Sequence, residues 1–193
     1  MDVFEAITTR ASVTALIEPG PSDAQIAALL HAGACAPDHG RLRPWKFLVV
    51  RGQARDELGE LMAAATRARQ PDASEGTPER ERSKPLRAPV IVIVAVVLTL
   101  QSKIPEIEQM LSAGAAAQNI LLAAHGFGFG AIWRTGAPAY DPEVAKGLGL
   151  PEGARIVGFL YIGSAISSPV ARRPATGANA LEWKQGLSQD LLA

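Results

Sequence analysis

Apolar residues recur at spacings of three and four along several stretches, and each such stretch predicts a helix. The first predicted helix follows Asp2, whose spacing to Glu5 resembles a capping box, and runs to about Arg10. The second starts from the same signal at Ser22 and ends near Pro37. The remaining predicted helices span about 53–69, about 105–126 and about 141–147.

Continuous apolar runs rich in β-branched residues predict buried strands. The longest run, 88–100, is too short for a membrane-spanning helix, so we expect a strand there. Similar runs predict strands at 46–51, 131–133 and 156–163. Helices that alternate with about four main strands indicate an α+β or α/β fold, in a single domain that covers residues 1–193.

Two stretches lack this patterning. Residues 70–87 carry many charges and several prolines, and we interpret them as a mobile excursion within the domain, with a short helix around 79–84. From Ser164 onward the chain reads as an irregular tail that contains Arg172 and Arg173. An arm on a neighbouring subunit and a disordered end both remain open for this tail.

The composition indicates a globular protein, with 48% hydrophobic and 20% charged residues among 193. Basic and acidic residues number 19 each, and this zero net charge argues against a general nucleic-acid binder. The single cysteine, Cys35, cannot form an internal disulfide, so a cytoplasmic location is the default expectation. The acidic, amphipathic N-terminus does not resemble a signal peptide, and we expect no membrane partner.

Arginine and hydroxyl side chains at the ends of predicted elements carry the candidate chemistry. Arg10 and Ser12 follow the first helix, where they either cradle a phosphate or form an ordinary helix end beside a turn serine. In the loop before the strand at 46–51, Arg41 and Arg43 either meet an anion or stack on Trp45.

Several familiar kinds of site are not expected. The segment GFGFG follows a helix rather than a strand, and its spacing differs from the dinucleotide-binding fingerprint. The three histidines are widely separated, so we expect no metal site. Cys35 is interpreted as a small buried apolar side chain rather than a nucleophile. No catalytic side chain is assigned.

Four segments, taken together and in order, resemble the nitroreductase family of FMN flavoproteins. They read RASVT, APDHGRLRPWKF, SAGAAAQNILLAAHGFGFGAIWRTG and VGFLYIGSA. The resemblance covers nearly the whole chain and is closest to the small bacterial members, the minimal nitroreductases.

This resemblance implies a mixed sheet of about four main strands with helices on both faces, built as an intertwined homodimer. It implies two FMN molecules in the dimer interface, each touched by both chains. It also implies hydride transfer from NADH or NADPH, through FMN, to nitroaromatics, quinones or similar small planar acceptors in a ping-pong cycle. A flavin-binding protein without turnover, another reaction on the same scaffold (dehydrogenation or dehalogenation) and a domain without cofactor remain open.

The resemblance also assigns cofactor-binding residues segment by segment. The first FMN segment corresponds to Arg10, Ala11 and Ser12, and the segment after the central helix to Trp133, Arg134 and Thr135. The loop lent by the partner chain corresponds to Pro37, Asp38 and His39, with Cys35 and Arg41 beside it. The stretch associated with the nicotinamide nucleotide corresponds to Ala123, Ala124, His125, Gly126, Phe127 and Gly128.

The chain departs from the family pattern at Thr14, Cys35, Arg41 and Arg43. Some small members have Arg where Cys35 stands, and the family loop usually has Asn and Gln where Arg41 and Arg43 stand. A cation beside the pyrimidine edge of the flavin raises its reduction potential. We therefore hypothesise that Arg41 or Arg43 replaces the missing arginine at position 35.

Overall fold

A five-stranded sheet lies at the centre of the structure, a computed structural model that describes residues 1–74 and 76–167. Its strands are β1 (Leu16–Ile17), β2 (Trp45–Arg51), β3 (Val90–Val96), β4 (Gly130–Arg134) and β5 (Arg155–Ala165). The helices of this part of the chain are α1 (Val3–Thr9), α2 (Asp23–Ala34), α3 (Ala54–Arg69), α4 (Gly76–Ser83), α5 (Glu106–Gly126) and α6 (Pro142–Gly147). Short 3-10 turns lie at His39–Arg41, Lys84–Arg87 and Ala137–Tyr140.

The strand pairing confirms the predicted α+β class. β3 lies between β2 and β5, β4 pairs with β5, and β1 pairs with the last two residues of β5. These pairs are all antiparallel, and the parallel component within the described residues is one isolated bridge from Ser12 to Ala131. The sheet is therefore more uniformly antiparallel than the mixed sheet that we expected.

Alternation along the strands sends side chains to two cores, one on each face of the sheet. Ile91 and Ile93 of β3 pack with Leu58 and Met62 of α3 in the first core. Val92, Val94 and Val96 point the other way, into a second core with α2 and α5. Helices therefore cover both faces, as predicted.

Local capping signals form two of the helix starts as the sequence predicts. Asp2 Oδ1 accepts a hydrogen bond from the Glu5 N–H at 2.8 Å and begins α1. At α2, Ser22 and Gln25 form a complete capping box, in which the Ser22 N–H donates to Gln25 Oε1 at 2.9 Å.

Prolines and the ends of the neighbouring strands make β3 shorter than the predicted strand over 88–100. The strand begins directly after Pro89, which has no N–H to donate. At the other end Val96 pairs with Trp45, the first residue of β2, and the preceding Pro44 has no N–H to continue the ladder.

The excursion at 70–87 is mostly helical and lies against α3. α4 and the 3-10 turn Lys84–Arg87 cover most of it, in broad agreement with the short helix predicted at 79–84. α4 lies so close to α3 that a Cβ at Gly59 would overlap the carbonyl oxygen of Arg82. Arg82 Nε also lies 2.8 Å from Glu60 Oε1 and ties the two helices together.

The central helix α5 is buried along one side only. Ala113, Ala117 and Ile120 are fully buried, whereas Ile107 and Leu111 are 60% and 65% exposed. Within this chain, the first turns of the helix therefore leave an apolar side uncovered. None of the described helices combines the length and apolar content needed to span a membrane.

The C-terminal tail begins later than expected, because β5 extends through Ser164 to Ala165. Arg172 and Arg173 lie outside the described residues.

Candidate functional site

A cavity of about 360 Å³ lies beside the first residues of β4. Arg10 and Ala11 of the first predicted segment line it, together with His125 and Gly128 from the end of α5. Gly128 has φ +84°, a left-handed conformation that favours glycine and lets the chain turn back from α5 into β4. Two segments that lie more than a hundred residues apart in the sequence therefore line the same cavity.

Strand β4 leaves one of its edges open next to this cavity. Its inner edge pairs with β5, and on the outer edge the Val13 N–H donates to Ala131 O at 3.0 Å. Main-chain groups of alternate residues in a strand point to the same side, so those of Trp133 also face the outer edge. No described strand covers that edge beyond Val13. A flat ligand with donors and acceptors on its rim can pair with this edge.

The Trp133 ring is fixed by contacts from the neighbouring strand. Its Nε1–H donates to Val157 O at 3.2 Å, and the indole lies directly over Gly158. The ring is half-buried against the second core. Trp133 therefore packs against the core and also lies at the candidate site.

A group of basic side chains surrounds the far end of β4, roughly 13 Å from its start at about 3.3 Å per residue. Lys84 Nζ lies 3.9 Å from the position that a Cβ on Gly136 would take, and it pairs with Glu81 Oε1. The second carboxylate oxygen, Glu81 Oε2, is buried and has no hydrogen-bond partner among the described residues.

The pKa of Tyr161 reports the charges around this end of the strand. Burial raises the pKa of Tyr161 to about 12, and the nearby carboxylate of Glu81 adds to the rise. The positive charges of Arg87 and Arg134 act in the opposite direction. Three cations and one carboxylate therefore lie around the end of β4, which leaves an excess of positive charge.

The loop over 37–43 lies against the first turns of α5. Ser112 Oγ donates to Pro37 O at 2.7 Å, and His39 Nδ1 lies 2.6 Å from Glu108 Oε2. The Arg43 N–H donates to Asp38 Oδ2 at 2.7 Å. These contacts hold a backbone in which Arg41 and Arg43 are left-handed, with φ of 55° and 48°.

The predicted site residues fall into two groups within one chain. His39 lies beside Glu108 and Arg10 lies beside His125, and these two positions on α5 are about 25 Å apart at 1.5 Å per residue. One chain thus brings together the first segment, the end of α5 and β4, and it holds the loop over 37–43 elsewhere.

Two residue interpretations need correction. Cys35 is exposed at the end of α2, so it is not the small buried side chain that we expected. Ala124 is completely buried in the second core, because it shares the inner face of α5 with Ile120 and Leu121. Its side chain is not available to a cofactor. Phe127, at 46% exposed, and Gly126 are at the surface.

Comparison with known proteins gives the family. The family model described as "Nitroreductase family" matches residues 7–164. The chain belongs to the nitroreductase family. The Escherichia coli (strain K12) protein named "Putative NAD(P)H nitroreductase YdjA" is 37% identical over 164 residues, which cover 85% of this chain and 88% of that protein.

Solved nitroreductase structures share the fold. A nitroreductase-like family protein from Bacillus cereus superposes with a TM-score of 0.80 at 25% identity, over 96% of this chain and 97% of that one. A protein from Desulfovibrio desulfuricans, described as a putative nitroreductase in complex with FMN, gives 0.74 at 25% identity over 96% and 99% of the two chains.

The sequence analysis did not single out some of the side chains around the candidate site. Lys84 and Arg87 stand in the segment that we interpreted as an excursion, and Thr9 and Glu108 lie on helix surfaces. The basic residues just before β3 were the available signal for Lys84 and Arg87. Among the described residues, no three His, Cys, Asp or Glu side chains lie close enough together to hold a metal ion.

Proposed function

We propose that this chain is a homodimeric, FMN-dependent oxidoreductase that uses NADH or NADPH to reduce small planar acceptors such as nitroaromatics and quinones. The observation that carries the proposal is the open outer edge of β4 with cationic side chains at both of its ends. FMN joins a flat heterocycle to a phosphate, and the two ends of the strand suit these two parts.

The residues present fit FMN in charge and in shape. Arg10 in the cavity would hold the phosphate, because a guanidinium forms strong charge-assisted hydrogen bonds with phosphate oxygens. The main-chain groups of Trp133 would pair with the rim of the ring. When bound, FMN supplies the hydride chemistry, and the protein orients the ring and adjusts its electrostatics.

Lys84 is the residue of this chain best placed to stabilise negative charge on the ring. It lies beside Gly136 at the far end of β4. Arg41 and Arg43, our original candidates, stand in the loop over 37–43, which lies against the first turns of α5. An interaction worth about 1.5 kcal/mol corresponds to about 30 mV for a two-electron couple. We expect Lys84→Gln to lower the flavin midpoint potential by about this amount, and Arg41→Ala and Arg43→Ala test the earlier hypothesis in parallel.

The homodimer is supported by the unpartnered apolar surface and by the arrangement of the two groups of site residues. α1 buries none of its residues and exposes Val3, Phe4 and Ile7, while α5 exposes Ile107 and Leu111. A two-fold axis that packs two copies of α5 antiparallel puts the first turns of one beside the last turns of the other. The loop over 37–43 of each copy then approaches the cavity of the other, which resolves the 25 Å separation.

The dimer is tested with Leu111→Glu, which places a charge on that surface. We expect a monomer by light scattering and loss of bound FMN. Ala64→Glu, on the exposed side of α3, is the matched control and should remain a dimer with bound FMN. A Leu111→Glu variant that is dimeric and binds FMN contradicts this arrangement.

The reaction is tested with the purified full-length chain. We expect a flavin absorbance spectrum, bleaching by NADH or NADPH without oxygen, and recovery when a nitroaromatic or quinone is added. Parallel double-reciprocal lines would support the ping-pong order. Retention of colour with both nucleotides would leave a flavin-binding protein without turnover. A colourless protein that takes up no FMN would refute the proposal altogether.

A further inference from the structure

His125 differs from its neighbours in the stretch 123–128 because one of its ring nitrogens is anchored and the other is free. Thr9 Oγ1 lies 2.6 Å from Glu5 O and 2.8 Å from His125 Nε2. A hydroxyl has one proton, and the carbonyl of Glu5 can only accept. The Thr9 hydroxyl therefore donates to Glu5 O and accepts from His125 Nε2–H. The other nitrogen, Nδ1, has no hydrogen-bond partner among the described residues.

The cavity that His125 lines with Arg10 has no counter-charge of its own. The described residues that line it include no Asp or Glu, and Arg10 forms no ion pair within the described part of the chain. Elsewhere in the structure, Lys84, Arg69 and Arg155 each pair with a carboxylate. The Arg10 guanidinium is therefore available to an anion that comes from outside these residues.

The two side chains that line the cavity lie at the C-terminal ends of two helices. Arg10 caps the C-terminus of α1, and His125 lies in the last turn of α5. The carbonyl ends of helices carry partial negative charge, and both side chains lie at such an end. The bare helix ends themselves would repel an anion. Arg10, His125 and Ser164 are the lining residues whose polar side chains can contact an anion, and Arg10 and His125 are the two that can carry positive charge.

We propose that His125 and Arg10 together bind a phosphate monoester, that of FMN, and that Thr9 is the positioning residue that orients the His125 ring. This inference rests on the proposed function and assigns His125 to the FMN phosphate rather than to the nicotinamide nucleotide. With Nε2–H directed at Thr9, the neutral ring has a lone pair at Nδ1. The monoanion of a phosphate monoester keeps one P–O–H group, and it shares this proton with the Nδ1 lone pair while Nε2–H stays on Thr9.

The same phosphate chemistry occurs in the 2′-phosphate of NADPH, and continuity with β4 favours FMN. Gly130 and Ala131 line the cavity and are also the first residues of the strand whose outer edge is open. A ligand that puts its phosphate in the cavity can thus extend along the strand without leaving the surface. A Cβ on Gly130 would stand 2.8 Å from Leu16 Cδ2, so glycine also keeps this wall of the cavity closely packed.

Binding of FMN and of riboflavin, which lacks the phosphate, isolates the proposed contact. The full-length chain is stripped of flavin, and both affinities are measured by quenching of flavin fluorescence. We expect His125→Gln, which keeps a donor within reach of Thr9, to weaken FMN about tenfold to a hundredfold, as for loss of one charged hydrogen bond. Riboflavin affinity should be unchanged. His125→Arg supplies a guanidinium donor for the phosphate and should retain much of the preference for FMN.

Two further variants separate the phosphate contact from a general loss of structure. Thr9→Val should reduce the ratio of FMN to riboflavin affinity, and Thr9→Ser, which keeps the hydroxyl, should restore it. His31→Gln removes a histidine from the last turn of α2, away from the cavity, and should leave the ratio as in the wild type.

Three results would overturn the assignment. Equal weakening of FMN and riboflavin in His125→Gln, or no change in either, means that His125 does not contact the phosphate. An unchanged FMN affinity with a raised KM for NADPH, but not for NADH, assigns the cavity to the 2′-phosphate instead. If the wild type binds no FMN at all, the proposed function itself is refuted. This result differs from the other two, in which FMN binds but His125 does not contact its phosphate.

Discussion

The Gly158→Ala substitution tests whether the Trp133 ring lies where the structure puts it. A Cβ on Gly158 would stand 2.5 Å from Cδ1 of Trp133 and closer still to Nε1, whereas ordinary contacts begin at about 3.5 Å. The indole must withdraw by about 1 Å or more, and its hydrogen bond to Val157 O is stretched or lost. The substitution therefore acts on the candidate site through a single added methyl group.

The expected loss of stability is about 2 kcal/mol. Overpacking of a well-filled site costs about 1–3 kcal/mol, and the lost hydrogen bond adds about 1 kcal/mol. Removing a strand glycine returns about 0.5–1 kcal/mol, because the unfolded chain loses backbone freedom. For a chain of this size the net change lowers Tm by about 4–8 °C. All variants need the same protein concentration, since a dimer's Tm depends on it.

Thermal unfolding of a double-mutant cycle gives the decisive result. Trp133→Phe makes room for the new methyl group, so the double variant should be more stable than the sum of the two single changes by about 1 kcal/mol or more. Gly76→Ala is the control, because no described atom lies within 4 Å of its Cβ position. An unchanged Tm in Gly158→Ala, or strict additivity with Trp133→Phe, refutes the packing of the indole on Gly158.

Two other predictions follow from buried polar groups. Tyr140→Phe leaves Tyr161 as the remaining tyrosine. Because burial raises the pKa of Tyr161 to about 12, tyrosinate absorbance of this variant should rise only near pH 12. A signal that appears near pH 10 in the folded protein contradicts this. The folded pKa of Tyr161 lies above the unfolded value of about 10, so its contribution to stability is present below pH 10 and is lost as the pH rises toward 12. Tyr161→Phe should remove this loss of stability when the free energy of unfolding is measured by urea titration. Asp141→Asn should lower the free energy of unfolding by about 2 kcal/mol, because it leaves Arg69 unpaired but keeps the cap on the Glu143 N–H. Asp141→Ala also removes the cap, so it should lower this free energy by about 1 kcal/mol more in the same urea titrations. Equal values for the two variants contradict a capping role.

Elements that depend on local interactions were predictable from the sequence. The capping box at Ser22 and Gln25 involves residues three apart, so its signal lies within one short stretch. The left-handed turn at Gly128 and the apolar run of β3 are similarly local. β1 has two residues and exists through pairing with β5, nearly 150 residues later, so no local pattern revealed it.

The site was predictable by segment and less so by residue. Arg10 and His125 line one cavity, although our resemblance assigned them to different ligands. The same resemblance included Ala124, which the helical repeat of α5 turns into the core. Lys84 lies at the far end of β4 because it contacts the turn at Gly136. This contact is tertiary, so the spacing of residues in the sequence does not predict it.

Zero net charge is a poor guide to this protein's ligand, because the charges are unevenly paired. Many of the surface cations are matched by carboxylates, as at Arg51 with Asp23 and Arg155 with Glu106. Along β4, by contrast, Arg10 lacks an acidic partner among the described residues, and Glu81 is one carboxylate among the three cations Lys84, Arg87 and Arg134. The strand therefore carries local positive charge within a neutral chain. Local fields of this kind select and orient a ligand, whereas the total charge governs solubility and non-specific association.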